Sequence, residues 1–449
     1  MTIEICTVGG FSEVGRNSTA IKVDDEVIIL DMGLQMDNYI RYTEDREDIS
    51  AKTYPQLLKV AAVPDYKHIK NWRDQVKAII PSHAHLDHIG AIPFASSIFP
   101  DAQILCTPYT AEVIKSLLYD DRIKIPNKII PVNLNSTHKL SEKISIEFIN
   151  ATHSIPQAAL IVVHTPYGKI VYANDYKFDR QPTLGKKTNF NRLKQIGEEG
   201  VLLLIAESLY AGEHRKMPSE SVAKQMLKDV MLGVNTESKA LIVTTFSSHI
   251  ARLKSIIELG KRLNRKIVFL GRSLKKYVDA AENINLVNFK PDIELIRYRD
   301  KIEKKLKQIN KEGKDKYLIV CTGHQGEPKA ILSRLTRNEL PFTFEQGDVV
   351  IFSCSVIPVE LNKQNRDKLE KGLKAKHVRI FNDVHVSGHA AREDHRDLIN
   401  LVKPQQIIPS HAGPKMAKAL EELAQEMGYI SGKTVRLMED GKIFVLKKS

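Results

Sequence analysis

The segment "PSHAHLDHIG" (81–90) places three histidines and one aspartate within six consecutive positions. It follows "VKAII", whose β-branched and apolar residues predict a buried strand that ends just before the cluster. In an extended chain His83 and His85 point to the same side. Asp87 and His88 can turn back across a loop toward a second centre. Imidazole and carboxylate are the usual ligands of zinc and similar metals, so the pattern favours two metal ions over a chance group of surface histidines.

Three more candidate ligands follow predicted strands elsewhere in the chain. His153 stands in "FINATHSIP", Asp175 in "KIVYANDYKFD" and His411 in "IIPSHAG". A single histidine at a strand end is more often a hydrogen-bonded structural residue than a ligand. Three such positions favour a metal site when they occur together with the quartet of His83, His85, Asp87 and His88, which needs further ligands to bind two metals. A catalytic metal would also keep one position open for water.

The composition bounds the class of protein that holds this cluster. At 449 residues with 42% hydrophobic side chains, the chain can build two domains. No apolar stretch is long enough to span a bilayer and no signal peptide is visible, so we expect a cytoplasmic protein without a membrane partner. The cysteines form no C-x-x-C pair, which argues against a disulfide framework or a thiolate zinc site; they are Cys6, Cys106, Cys321 and Cys354.

The net charge of +13 predicts a polyanionic partner, because lysine and arginine gain affinity for phosphates by releasing counterions. The densest run of charge, residues 297–316, mixes both signs at helical spacing and is typical of an ordinary solvated helix. The sequence shows no internal repeat and no Pro/Gly/Ser linker. Domain boundaries must therefore be inferred from the pattern of strands and helices.

The elements that position these residues form three passages. Residues 1–208 contain many short predicted strands and few helices, which is typical of a sheet sandwich. From 209 to 386 strands and helices alternate, as in "ALIVTTF" followed by "SSHIARLKSIIELGKRL", and this predicts a parallel sheet with crossover helices. In 387–449 the segment "PSHAG" echoes "PSHAH", so we expect the chain to return to the first domain. The predicted fold class is α/β, with the second domain inserted into the first.

This arrangement resembles the metallo-β-lactamase superfamily. Its recurring motifs match Asp31 in "LDMG", the quartet, and the three later residues at strand ends. The resemblance implies an αββα sandwich that holds two metals. The ligand sets would be His83, His85 and His153 for one metal, and Asp87, His88 and His411 for the other. Asp175 would bridge the metals, and Asp31 would orient a ligand without touching a metal itself.

The inserted region narrows the resemblance to the β-CASP nucleases and, within them, to the ribonuclease J family. The motifs span nearly the whole chain: "GGFSEVGRNS", "AESLYAG" with Glu207, "TTFSSHIARL", "TGHQGEP" and "VHVSGHA". His324 departs from the family pattern, in which a small residue is expected there. Neither the C-terminal domain of many bacterial members nor the KH modules of the cleavage-factor relatives is expected, so the chain is similar to the short archaeal form. The inserted domain would be a Rossmann-like parallel α/β domain.

The motifs of the inserted domain fit a chain of phosphates. Ser247 and Ser248 stand at a predicted strand-to-helix junction, where hydroxyl and amide groups can hold an anion and Arg252 can add charge. Gly323 and Gly326 let the backbone approach a ligand closely. Taken singly, these residues fit helix capping and a tight turn equally well. Within the resemblance, the RNA-binding set is Ser247, Ser248, His249, Arg252, Gly323, His324, Gln325, Gly326, Ser387, Gly388 and His389.

The resemblance implies a metal-dependent 5′-to-3′ exoribonuclease that prefers 5′-monophosphate ends of single-stranded RNA. Two divalent ions, expected to be zinc although manganese or magnesium would suit the same ligands, would activate the attacking water. Asp175 would position that water, with Asp87 beside it. His389 would contact the scissile phosphate or protonate the leaving 3′ oxygen, and Glu207 would orient a neighbouring histidine. Dimers are common in the family, so a homodimer is expected.

Three other functions use parts of the same pattern. An endoribonuclease of the cleavage-factor type has the same metal centre and differs in its end-binding pocket, and one site can also combine both activities. A small-molecule hydrolase shares the metals but has no use for the insertion or for a charge of +13. An inactive RNA-binding scaffold has no need of two open metals. Resistance of a 5′-triphosphate substrate would favour the exonuclease.

Overall fold

The computed structural model describes residues 2–44, 52–357 and 360–446. They divide into two compact units. The first unit extends to Arg180, resumes over Gly185–Met217 and continues from Gly388 onward. The second unit comprises Gln181–Leu184 and Pro218–Ser387. In chain order, the second unit is therefore an insertion into the first.

The first unit contains two sheets, whose strands are numbered in chain order. The first sheet consists of β1 (Ile3–Gly9), β2 (Ser18–Val23), β3 (Glu26–Leu30), β4 (Val76–Ile80), β5 (Gln103–Cys106), β6 (Ile129–Pro131) and β19 (Lys442–Leu446). The second consists of β7 (Ser136–Lys139), β8 (Ser145–Asn150), β9 (Ala159–Thr165), β10 (Gly168–Ala173), β11 (Val201–Glu207) and β18 (Gln406–Ser410). Their spatial orders are β19-β1-β2-β3-β4-β5-β6 and β18-β11-β10-β9-β8-β7.

The helices of the first unit lie between its strands or between a strand and the inserted unit. They are α1 (Met36–Glu44), α2 (Tyr54–Lys59), α3 (Leu86–Ile89), α4 (Ile92–Ala95), α5 (Pro108–Asp120), α6 (Phe190–Glu198), α13 (Arg392–Val402) and α14 (Pro414–Glu426), with 3-10 turns at Tyr66–Gln75 and Ser96–Ile98. Their starts follow local chemistry: Asn189 caps α6 by accepting from the Arg192 amide, and proline fills the first position of α5 and α14.

The two sheets of the first unit enclose one apolar core, and helices cover the other face of the second sheet. In β9, Ile161 and Val163 join the core between the sheets, whereas Leu160 and Val162 join a second core that includes residues of α6, α13 and α14. Side chains alternate along a strand, so a strand buried on both faces is apolar throughout. This explains the sequence "ALIVVHT" and confirms the predicted αββα sandwich.

The second unit is built on one parallel sheet. Its strands are β12 (Leu241–Thr244), β13 (Lys266–Leu270), β14 (Ile293–Ile296), β15 (Tyr317–Cys321), β16 (Val349–Phe352) and β17 (Arg379–Phe381), in the spatial order β14-β13-β15-β12-β16-β17. Its helices are α7 (Glu220–Gly233), α8 (Ile250–Arg262), α9 (Arg272–Asn283), α10 (Arg299–Glu312), α11 (Ile331–Thr336) and α12 (Glu360–Lys374), with a 3-10 turn at Lys314–Lys316. All five strand pairs are parallel, which confirms the predicted Rossmann-like architecture.

Among the described residues, no helix combines the length and the apolar character that a membrane crossing needs.

Candidate metal centre

Three histidines converge from separate elements of the first unit. His83 follows β4, His85 caps α3, and His153 follows β8. Nδ1 of His85 lies 3.1 Å from Nε2 of His83 and 3.1 Å from Nε2 of His153. Nitrogen ligands ~2.0–2.1 Å from a tetrahedral zinc stand about 3.3–3.4 Å apart. The spacing of the three nitrogens therefore fits one metal ion.

A second group of ligands lies beside the first. Nε2 of His88 is 3.6 Å and Nε2 of His411 is 3.8 Å from Oδ2 of Asp87. The backbone holds α3 in place, because the amide of Met32, after β3, donates to the carbonyl of His88 at 2.7 Å. His411 follows β18 at the carboxyl end of the second sheet. The group can hold a second ion with the same kinds of donor as the first.

Asp175, which follows β10, touches both groups. Its Oδ2 lies 3.4 Å from Nε2 of His83 and 3.2 Å from Nε2 of His88, and its Oδ1 lies 3.6 Å from Nε2 of His411. The residue is 2% exposed, and Oδ1 accepts no hydrogen bond from any described residue. A buried carboxylate oxygen without a donor is costly unless a cation meets it. The residues therefore fit a pair of divalent metal ions that share Asp175.

The charges of the site favour metal binding. Burial lowers the pKa of His83, His85 and His153 well below the usual value, so these rings are neutral and carry free lone pairs. Burial alone would raise the pKa of Asp175, but His411, His88 and His389 hold it well below the usual range. His83, His85 and His153 are thus neutral imidazoles beside an ionised carboxylate, as a divalent ion requires. Burial opposes a charge on His88, but Asp175, Asp31 and Asp87 raise its pKa well above the usual value, so this ring would release a proton when a metal binds.

Asp31 stands behind the ligands at the end of β3. It is fully buried, and Oδ2 accepts from Nδ1 of His88 at 2.7 Å and from the Tyr172 hydroxyl at 2.8 Å. Oδ1 accepts from the Ser82 amide at 2.7 Å. Nδ1 of His88 donates to Asp31, so Nε2 is the ring nitrogen that faces Asp175, at 3.2 Å from its Oδ2. Asp31 thus lies behind His88 and is hydrogen-bonded to it, and its role in orienting this ligand stays a prediction.

Three residues of the site have a left-handed backbone. Asp31 and Asp175 each have φ 59°, and His411 has φ 52°. This left-handed conformation costs a non-glycine residue about 1 kcal/mol or more of conformational free energy, and residues that adopt it are concentrated at functional sites. Asp31 and His411 directly follow the last residues of β3 and β18, and Asp175 comes two residues after the end of β10, so each sheet holds the turn that directs the side chain toward the metals.

His389 and Glu207 form a pair at the edge of the metal ligands. Nδ1 of His389 donates to Oε2 of Glu207 at 2.8 Å, while Oε1 of Glu207 accepts from the amide of Tyr176 at 3.1 Å. Glu207 is fully buried at the end of β11, whereas the His389 side chain is 19% exposed. Burial opposes a charge on His389, but Glu207 and Asp175 raise its pKa to about 9. Glu207 therefore fixes the ring of His389 with Nε2 as its other donor.

Asn17 joins two metal-facing histidines and was missed by sequence reasoning. Its Oδ1 and Nδ2 lie 2.9 and 2.7 Å from Nδ1 of His411, and Nδ2 also lies 3.2 Å from Nε2 of His88 and 3.1 Å from the carbonyl of Asp87. The residue is 1% exposed. A Cβ on Gly10, which has φ 86°, would stand 2.5 Å from Oδ1 of Asn17. The paired glycines of "GGFSEVGRNS" were therefore the available signal of this close approach.

The predicted phosphate-binding residues of the second unit lie in two neighbouring loops. Ser247 and Ser248 follow β12, and Gly323 to Gly326 follow β15, the strand that pairs with β12. Gly323 has φ 123° and Gly326 has φ 78°, which is backbone that side chains rarely adopt. Gln325 is held through Nε2 to the carbonyl of Ser355 and through Oε1 to the amide of Ile357. Both loops stand at the carboxyl edge of a parallel sheet, the usual ligand edge.

The other predicted RNA-binding residues occupy different surroundings. His249 caps α8, and His324 packs its ring 4.4 Å from that of Phe246. Ser387 is the last residue of the second unit, and Gly388 lies in the first, where its carbonyl lies 2.7 Å from Nδ1 of His153. Gly388 therefore stands beside a metal ligand, and its part in RNA binding stays a prediction.

The Arg252 side chain makes its hydrogen bonds to other residues of the second unit. It is fully buried, with Nε and Nη2 donating to the two carboxylate oxygens of Glu220 at 2.5 and 2.8 Å. Nη1 donates to the carbonyl and hydroxyl oxygens of Ser353 at 2.9 and 2.8 Å. A fully buried guanidinium whose three nitrogens all donate to groups of its own unit is held away from a phosphate in solution. The geometry favours a positioning role, in which Arg252 holds α8 against α7 and β16.

Comparisons with known proteins bear on the whole chain. The model of the metallo-beta-lactamase superfamily matches residues 12–226, that of the ribonuclease J beta-CASP domain residues 238–368, and that of a Zn-dependent metallo-hydrolase RNA specificity domain residues 377–437. A protein of unknown function from Enterococcus faecalis shares the fold, with a TM-score of 0.67 and 18% identity over 99% of this chain and all of that one.

Full-length relatives narrow the assignment. The chain is 43% identical to a ribonuclease J of Methanocaldococcus jannaschii over 98% of both proteins. It is 42% identical to a ribonuclease J of Pyrococcus abyssi over 98% of this chain and 96% of the relative. Identity to ribonuclease J 1 of Streptococcus pyogenes is 32% over 99% of this chain and 74% of the relative. With a cluster fit for divalent metals, an RNA specificity domain and these relatives, the chain belongs to the ribonuclease J family of metal-dependent, RNA-binding hydrolases.

Proposed function

We propose that the chain is a 5′-to-3′ exoribonuclease that degrades single-stranded RNA from 5′-monophosphate ends with two bound zinc ions. The observation that carries this proposal is the pair of ligand groups joined by Asp175, whose Oδ1 accepts no hydrogen bond from the described part of the chain. One group contains His83, His85 and His153 and the other contains Asp87, His88 and His411. Manganese or magnesium at the same ligands would be compatible with the reaction.

The bound metals would lower the pKa of a shared water and stabilise charge on the attacking and leaving oxygens. The protein supplies the residues that hold and orient the two ligand groups. Asp175 fixes the separation of the two ligand groups, and Asp87 sits at their open rim, with its side chain 24% exposed. Asp31 contacts Nδ1 of His88 and Asn17 contacts Nδ1 of His411, so both rings are oriented with Nε2 toward the metals. The centre is therefore set before substrate arrives, as electrostatic stabilisation requires.

His389 is proposed to act on the leaving group. Its Nδ1 is held by Glu207 at 2.8 Å, so Nε2 can donate to a phosphate oxygen or to the departing 3′ oxygen. The partial exposure of the ring, at 19%, supports contact with substrate, while the full burial of Glu207 supports a positioning role for the carboxylate.

The second unit is proposed to recognise the 5′-monophosphate. The loop after β12 offers the hydroxyls of Ser247 and Ser248, and the loop after β15 offers backbone amides around Gly323 and Gly326. Successive amides in such a loop make a concave site for an anion. RNA ends with a triphosphate or a hydroxyl would fill this site poorly, so a reaction that starts at the end would slow on both.

The proposal is tested with one RNA that carries a 5′ label and ends in a monophosphate, a triphosphate or a hydroxyl. The wild type should release labelled mononucleotide at once from the monophosphate form. The Asp87→Ala, His88→Ala double variant is the control and should release none. Internal fragments that appear regardless of the 5′ group would replace the proposal with the endoribonuclease alternative.

The proposed setting is a homodimer in the cytoplasm. The four cysteines are buried and free, which supports a reducing compartment. Sedimentation velocity at micromolar concentration tests the dimer, and a single species with the mass of one chain would contradict it.

A further inference from the structure

Four strand ends stand in a row along the carboxyl edge of the second unit's sheet. The strands are adjacent in the order β14-β13-β15-β12. The amide of Gly271, after β13, donates to the carbonyl of Ile296, the last residue of β14, at 3.0 Å. The hydroxyl of Ser273 lies 3.2 Å from that of Ser247, after β12. The loops therefore form a continuous surface from the end of β14 to the proposed phosphate loops.

Tyr298 stands at the outer end of this row and is surrounded by cations. Its side chain is 56% exposed, although a large aromatic side chain gains from burial. The guanidinium of Arg297 lies 5.4 Å and the ammonium of Lys301 lies 6.0 Å from the centre of the ring. Arg299, whose side chain is 71% exposed and whose Nε donates to Glu303 at 2.8 Å, adds a third cation from the first turn of α10. An exposed aromatic ring among cations is the arrangement that binds single-stranded nucleic acid by stacking and charge.

The charge of the chain is concentrated in the same unit. Of the net charge of +13, the second unit carries +12, from 32 lysine and arginine residues against 20 aspartate and glutamate residues. A local excess of this size attracts a polyanion over several ångströms of solution. The partner that matches both the charge and the exposed ring is therefore a single-stranded polynucleotide.

We infer that Tyr298, with Arg297, Arg299 and Lys301, forms a subsite on which a base of the single-stranded RNA substrate stacks, downstream of the nucleotide whose 5′ phosphate is bound. The inference rests on the proposed function for the direction of the strand. The ring of Tyr298 would receive a base without regard to its identity, and the three cations would meet the flanking phosphates. RNA long enough to reach the subsite would bind this protein more tightly than RNA that contacts the end-binding loops alone.

The sheet sets how far the subsite lies along the RNA. Three inter-strand steps separate β14 from β12, and neighbouring strands lie ~4.8 Å apart, so the two loops are about 14 Å apart across the sheet. At a stacked rise of ~3.4 Å per nucleotide, this corresponds to about four nucleotides. A trinucleotide held by its 5′ end should therefore not reach Tyr298, whereas a decanucleotide should.

The test measures binding of labelled oligouridylates of three and ten nucleotides by fluorescence anisotropy, in the full chain inactivated by Asp87→Ala and His88→Ala. Tyr298→Ala should weaken binding of the decanucleotide roughly 5- to 150-fold, the range for loss of one stacked base, and change binding of the trinucleotide less than twofold. Tyr298→Phe and Tyr298→Trp should retain decanucleotide affinity, since the ring is kept. Lys301→Gln should lower the slope of log K against log salt by about 0.7.

Tyr119 provides a matched control. It is 77% exposed in the first unit and precedes two aspartates, so Tyr119→Ala should leave both affinities unchanged. Decanucleotide affinity within twofold of the parent in Tyr298→Ala, or an equal loss for both lengths, would overturn the subsite while leaving the proposed function intact. If the parent bound neither oligonucleotide, the proposed function and the subsite would both fall.

Discussion

Replacing Arg252 decides whether this arginine meets RNA or holds the inserted unit together. The side chain is fully buried, and its guanidinium is divided between Glu220 and Ser353. Arg252→Met keeps a side chain of similar length but removes every donor. The Glu220 carboxylate then stays buried without its arginine. We therefore expect a large loss of stability in the second unit and no loss of a direct phosphate contact.

The magnitude follows from the burial of the pair. Removing one partner of a buried ion pair typically costs ~3–5 kcal/mol. Glu220 is 4% exposed; burial opposes its ionisation, while His249 and Arg252 hold its pKa well below the usual value. Nε2 of His249 lies 3.3 Å from the carboxylate and remains in the variant, so the lower part of that range, ~3–4 kcal/mol, is expected. In a unit of this size, ~2–4 °C per kcal/mol gives a Tm lower by roughly 6–16 °C.

Calorimetry on the full chain measures the effect, with RNA affinity recorded at two salt concentrations well below the transition. Arg252→Met should lower the Tm of one transition and leave the salt slope unchanged. The double variant Arg252→Met, Glu220→Met should recover most of the loss, because two apolar side chains replace the pair without an isolated charge. Lys261→Met, on the same helix with a 56% exposed side chain, is the control and should change the Tm little.

A result that would contradict the structural role of Arg252 can also be stated. If Arg252→Met kept its Tm while the salt slope fell by about 0.7, the arginine would meet a phosphate of the RNA. The buried geometry would then misrepresent its role.

Three further outcomes are expected. Asn17→Ala should weaken binding of one metal by roughly 10- to 100-fold in a chelator competition, because His411 loses its orienting partner, and a loss of both metals together would contradict this. His389→Ala should lower kcat by about 10²- to 10⁴-fold with metal content unchanged, and loss of metal would contradict its assigned role. Glu147→Gln should cost at most about 3 kcal/mol at neutral pH, since burial raises the pKa of Glu147 but hydrogen bonds from His164 and Arg192 lower it to about 2. That contribution is complete above pH 4.5 and fades toward pH 2, so the two proteins should unfold alike at pH 2, and a gap that persists there would refute the assignment.

The main elements and the ligand groups were accessible from sequence for a physical reason. Strands buried on both faces, such as β9 and β11, are apolar over most of their length, and the polar residues at their carboxyl ends stand out against that background. The regular alternation of strands and helices predicted a parallel sheet in the second unit. β14 was missed because its sequence "IELI" has one buried residue and carries no strong pattern.

Other features depend on contacts that no sequence pattern reports. The order β14-β13-β15-β12 brings Tyr298 and Ser247 to one edge although they are far apart in sequence. The role of Asn17 depends on how closely the backbone of Gly10 approaches it. Arg252 was predicted to add charge to a phosphate site, because its position in the motif does not reveal that Glu220, 32 residues earlier, consumes its donors.

The order in which the ribosome delivers the chain has a consequence for when cleavage can begin. β18 completes the second sheet beside β11, and β19 completes the first sheet beside β1. Neither sheet is therefore complete until the last part of the chain has been synthesised. His411 arrives with β18, after the whole insertion has been made. At ~5–20 residues per second, the interval between synthesis of Asp175 and of His411 is about 10–50 s. Throughout that time the growing polypeptide lacks His411, so the second ligand group stays incomplete until β18 has been synthesised.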